Sequence, residues 1–174
     1  MPRILSFASV VLAVLSLLAC TRPTSSPEAL VEAAFESIKK NDWKAYAPLT
    51  ITTADFILQE NKVSKFKQGQ TYAGEVLRPE EHKLQKEQFQ KAAGGGAGIL
   101  DFRQSKFDRA VRVASADQEL LTGSTIPVTF YAVALDGGGG QPSQLDPGFV
   151  VVEWNRTYRL LGLRFRGAAQ AEEN

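Results

Sequence analysis

The chain has 174 residues, 44% of them hydrophobic, which is enough for one domain with a core of its own. Twenty Lys and Arg stand against 19 Asp and Glu, and that near balance excludes the basic footprint on which nucleic-acid affinity rests. One cysteine and one histidine exclude an internal disulfide and a histidine-based metal cluster.

Arg3 opens the chain with a small positive region, and an apolar stretch from Ile4 to Ala19 follows. These lengths and flanks match a secretory leader. The stretch ends at Leu17-Leu18-Ala19-Cys20, with Arg22 and Pro23 just beyond. A retained membrane span needs roughly 20 apolar residues, and this run is at the short side of that range. Ordinary signal cleavage after Ala19 wants a small residue at the −3 position, where Leu17 stands. Leu17-Leu18-Ala19-Cys20 resembles the lipobox of bacterial lipoproteins, in which the cysteine sulfur receives a diacylglycerol and the preceding segment is removed. The resemblance implies a lipidated Cys20 as first residue, with palmitate-type acyl chains holding the protein in a membrane. Lipidation would also consume the lone thiol, which is otherwise reactive in an exported protein. Thr21 stands where an aspartate would signal inner-membrane retention, so an outer-membrane, periplasm-facing position is favoured.

Removing residues 1–19 from 174 leaves 155, with 19 basic and 19 acidic side chains. Residues 20–26 form a lipidated cysteine and polar tether, 27–167 a single domain, and 168–174 a flexible tail. Ser26-Pro27-Glu28 is a helix start: a capping hydroxyl, a proline and an acid in the first turn. Leu30, Val31, Ala34, Phe35 and Ile38 then recur at helical spacing. Asn41 or Asp42 can cap a second short helix with Trp43, Tyr46 and Leu49, and Thr53 can cap a third over 54–59. Residues 60–78 read as a polar loop and Pro79–Lys91 as a helix anchored by Leu84 and Phe89. The glycines of 92–98 end it.

The remainder reads as strands. Residues 99–113 hold two alternating stretches, with Phe107, Arg109, Val111 and Val113 on one face. A turn is expected over 117–123 and the strongest strand over Thr125–Leu135, where Pro127 marks an edge or a strand end. Four glycines make 136–147 a loop. Residues 149–154 and 157–165 form a hairpin through Asn155-Arg156, with Leu161, Leu163 and Phe165 sharing a face. The fold class expected is α+β, with N-terminal helices packed on a curved antiparallel sheet.

Two phrases carry a wider resemblance. Pro27 to Phe35 followed by Lys40-Asn41-Asp42-Trp43-Lys44-Ala45-Tyr46, and Phe149 to Trp154 followed by Tyr158 to Leu163, resemble the first helices and closing hairpin of the nuclear transport factor 2-like (cystatin-like) superfamily. The glycine-rich stretches at 94–98 and 137–140 depart from that pattern. The resemblance implies a cone-shaped domain with a cavity between helices and sheet. Members of that superfamily include enzymes, small-molecule binders and protein binders, so fold does not decide function.

The search for chemistry is sparse. His82 lies in the charged run Glu80-Glu81-His82-Lys83, which suits solvent. Asp55 is a possible cavity carboxylate, read otherwise as a first-turn helix charge, and Asp101 alternates toward solvent. Ser115, Ser124 and Ser143 have no histidine nearby, and the glycine runs lack a phosphate-cradling pattern. Trp43, Tyr46, Tyr131, Trp154 and Tyr158 are the aromatic candidates for a cavity or binding face, set against their use as core. No cofactor or catalytic residue is expected. The reading is a membrane-anchored envelope lipoprotein that binds a protein partner or a small apolar ligand. Its rivals are an enzyme using a cavity carboxylate such as Asp55 and a structural subunit of an envelope complex.

Overall fold

The computed structural model describes residues 25–64, 72–95, 100–136 and 148–165. Cys20, the leader, the glycine-rich loop over 137–147 and the tail over 168–174 lie outside them. The described chain is α+β: four α-helices precede a four-stranded antiparallel sheet.

Helix α1 spans Pro27–Lys39 and starts as its sequence dictates, with the Ser26 hydroxyl accepting from the Ala29 N–H at 3.2 Å. Asn41 then turns the chain through a positive φ of 53°. The Asp42 carboxylate accepts from the Ala45 N–H at 3.1 Å and opens α2, Trp43–Tyr46, which a turn of 3-10 helix over Ala47–Leu49 continues. Helix α3 spans Thr53–Ser64 and α4 spans Tyr72–Gly94. The 60–78 loop is therefore a correction: α3 runs further and α4 begins seven residues before Pro79, which sits inside it. Proline removes one backbone donor there, and tertiary packing outweighs it. At Gly74 an added Cβ would come within 3.0 Å of the Leu58 side chain and 3.2 Å of the Ala54 carbonyl, so glycine lets α4 lie close against α3. Phe89 anchors α4 as expected, but Leu84 points outward and is 53% exposed.

Strands β1 (Phe107–Glu119), β2 (Thr125–Leu135), β3 (Gly148–Trp154) and β4 (Thr157–Arg164) form a simple meander in that order. Leu100–Gln104 is turn rather than strand, and β1 continues to Glu119, so the expected turn shrinks to Leu120–Ser124 around Gly123, whose φ is +81°. Pro127 lies one residue beyond the β2–β3 ladder, whose last pair is Val128 with Val152. Asn155 and Arg156, at φ 49° and 62°, make the two-residue β3–β4 turn.

Three irregularities in register redistribute the side chains. In β1 the ladder skips Asp108 and Val113, so Phe107 pairs with Leu135 on one face while Arg109 and Val111 pair with Ala134 and Ala132 on the other. The expected common face for Phe107, Arg109, Val111 and Val113 is thus broken. In β4 the ladder skips Leu161, so Leu160 and Leu163 share the main core and Leu161 joins a second cluster. A period-2 pattern carries no sign of such bulges.

Both faces of the sheet are covered. On one, Phe35, Ile38, Tyr46, Phe89 and Phe102 pack against Val133, Phe149, Val151, Leu160 and Leu163. On the other, Ile51 and Ile57 pack with Leu120, Ile126, Val128, Val150 and Val152.

Candidate functional site

The structure disperses the aromatic candidates over both faces. Tyr46 is 1% exposed and stacks within the main core, its ring centroid 4.9 Å from Phe89 and 5.7 Å from Trp43. Trp43 in turn lies 5.4 Å from Phe89. These three rings fill space between α2, α4 and the sheet. Burial pushes the Tyr46 phenol well above its ordinary value, because an anion in that setting loses its hydration. Trp154 is on the opposite face, edge-on to Phe56 at 4.7 Å. Tyr131 belongs to the main core, and Tyr158 packs against it, partly buried.

Asp55 sits in a polar junction below the second cluster. The Thr52 N–H and hydroxyl donate to its Oδ2 at 3.0 and 2.8 Å, while the Asp55 N–H donates back to the Thr52 hydroxyl at 3.2 Å. This is a reciprocal cap on α3, with Thr52 rather than Thr53 as the capping residue. The other oxygen, Oδ1, meets the Arg78 guanidinium at 2.7 Å. Glu81 reaches across from α4 to accept from the Thr53 N–H at 2.5 Å and from its hydroxyl. Further along the same α4 stripe, Gln85 Nε2 donates to the carbonyls of Ile51 and Leu161 at 2.6 and 3.2 Å, and Gln88 Oε1 accepts from the Leu163 N–H at 3.3 Å. Both oxygens of Asp55 are thus engaged, Oδ2 in capping α3 and Oδ1 in tying α3 to α4. Sequence spacing could have revealed the Thr52–Asp55 capping pattern; the Glu81, Gln85 and Gln88 bonds bridge 28 to 76 positions and had no local signal.

His82 and Asp101 are exposed. Among the described residues no group of three or more His, Cys, Asp or Glu could hold a metal ion, and no helix is long and apolar enough to cross a membrane.

The remaining concentration of accessible polar chemistry is on the main face of the sheet beyond the start of α1. Register places Arg112 opposite Tyr131, Ser115 opposite Thr129, and Glu153 opposite Tyr158 on that face. The Arg112 guanidinium donates to the Ser115 hydroxyl at 2.8 Å, and Ser115 and Thr129 hydroxyls lie 3.2 Å apart. Burial, and then the Glu28 carboxylate at the start of α1, raise the Tyr131 phenol above its usual value, with Arg112 opposing them. Arg112, Ser115, Asp117 and Glu153 are exposed. The patch therefore offers a guanidinium, hydroxyls and carboxylates on a rigid sheet, a surface suited to recognition rather than to nucleophilic chemistry.

Comparison with protein-family models, with curated proteins and with solved structures finds no match for this chain.

Proposed function

We propose that this protein is a membrane-anchored envelope lipoprotein that binds a protein partner through the polar end of its main sheet face, around Arg112, Ser115 and Thr129. The lipobox-like Leu17-Leu18-Ala19-Cys20 supports the anchor. The observation that carries the binding reading is the contrast in burial. Tyr46 and Tyr131 are core, 1% and 6% exposed, while Arg112 through Asp117 stand in solvent. A small apolar ligand is less well supported, because the rings that would grip it pack on one another. The carboxylate enzyme is less well supported because Asp55 is tied to Thr52 and Arg78. The nuclear transport factor 2-like resemblance belongs to the same proposal, and the helix-first order and antiparallel meander support it. Tethering by Cys20 would raise the local concentration of a membrane-bound partner, so a modest interface would suffice.

The test is photocrosslinking in the protein's own host. A photoreactive residue at Ser115 is expected to capture one discrete partner that the same residue at Leu84 does not. Identical products from both positions would remove this face as the binding surface.

A further inference from the structure

We infer that the outward edge of β1 pairs antiparallel with the same edge of a second copy, joining two four-stranded sheets into one. This rests on the strand's geometry and does not depend on the lipid anchor or the sheet-face partner proposed above, although Arg112 and Ser115 figure in both.

The two edges of the sheet are treated differently. The β4 edge is closed by the chain itself. Thr50 bridges Leu160 in parallel, the Ile51 N–H donates to the Leu160 carbonyl at 2.8 Å, and Gln85 and Gln88 take the Leu161 carbonyl and the Leu163 N–H. The β1 edge is left open from Ala110 to Gln118, with no strand or side chain among the described residues bonded to its outward backbone groups. Thirteen residues make it the longest strand of the sheet, roughly 43 Å at the usual rise. An edge of that length is a pairing template unless something blunts it.

What blunts it is specific, and it selects the occupant. The bulges at Asp108 and Val113 and the charges on the strand oppose a flat apolar strand. The charges are also ordered: Asp108 is paired with Arg109 beside it at 2.6 Å, Arg112 leaves the first half net positive, and Asp117 and Glu119 make the second half acidic. Antiparallel pairing of two identical strands turns the basic half of each onto the acidic half of the other. With the two-fold axis between Val113 and Ala114, residues 109–112 face residues 118–115 of the copy. Because Val113 is an extra residue, Arg112, Ser115 and Asp117 all project from one face. Arg112 then stands opposite Ser115 of the copy and diagonal to its Asp117, within reach of a long side chain. Symmetry repeats each such pair. Ala110, Ala114 and Ala116 along the seam are small and do not obstruct close approach.

The experiment uses the full chain in its own membrane. Val113 is 63% exposed, so Val113→Cys preserves the core and sets a thiol beside the axis. Mild oxidation should give a disulfide-linked dimer well above the background of the parent chain, which carries Cys20 alone. Leu84→Cys, on the outer side of α4, should stay at that background. Adding Arg112→Glu should lower the dimer yield about fivefold, since two related charge contacts turn repulsive. Adding Asp117→Arg to that variant should restore it, which a general loss of folding would not permit. A Val113→Cys yield no higher than that of Leu84→Cys, or a yield unmoved by Arg112→Glu in a chain with the parent's melting curve, overturns the inference.

Discussion

Tyr46 and Phe89 show at the residue scale how aromatic candidates become core. Each is 1% exposed, and their rings meet at 4.9 Å. Phe89→Ala should cost about 3–5 kcal/mol, because the lost transfer energy adds to a cavity that Trp43 and Tyr46 cannot close; urea unfolding measures it. Tyr46 carries a pH dependence with a definite sign. Its phenol is raised above the ordinary value of 10.0, so the neutral form is favoured in the fold. The unfolded chain ionises first, and stability present below pH 10 falls as pH rises above it. Melting temperature should therefore drop above pH 10, and Tyr46→Phe should drop less over the same range. Asp55 teaches the converse lesson. Its role as a first-turn helix charge was legible from the sequence with Thr53 read as the cap, one residue from the actual cap Thr52, whereas its pairing with Arg78 was not, since 23 positions separate them.

Helices α1 and α2 were legible as elements because cap, acid and apolar spacing agree within a few residues. Strands β2 and β3 and the Asn155-Arg156 turn were legible for the same reason. The full length of α4 was not. Its apolar pattern is thin, it contains Pro79, and beside the Phe89 anchor it meets α3 and β4 through a polar stripe of Arg78, Glu81, Gln85 and Gln88. Such a stripe reads as a solvated surface until α3 and β4 supply its partners. Gln85→Leu should test this element directly. It preserves bulk and removes the amide that satisfies the carbonyls of Ile51 and Leu161, at a cost of about 1–3 kcal/mol in thermal or urea unfolding. An unchanged midpoint would mean that the glutamine does not hold the β4 edge.

Among the described residues the sheet presents a β4 edge closed by the chain, a β1 edge with no neighbouring strand, and a polar face beyond the start of α1. On the proposed lipid anchor, Cys20→Ser should leave an uncleaved, unlipidated precursor. Fractionation with globomycin-sensitive lipoproteins as markers checks it, and normal acylation of the variant would remove the anchor. The domain itself should melt as the parent does, since both described clusters are built from residues 30–165.

By itself the sequence determined what depends on neighbours along the chain. That includes the α+β class, the order of helices before strands, the capped starts of α1 and α2, and the tight β3–β4 turn. It also carries the lipobox-like Leu17-Leu18-Ala19-Cys20 on which the proposed anchor rests. Only the tertiary structure decided which aromatics are core, which face Leu161 joins, and that Thr50 and Ile51 close the β4 edge of the sheet. The reason is physical. A bulge shifts side-chain parity without altering composition. A buried amide or carboxylate finds its partner across tens of residues, where periodicity carries no information.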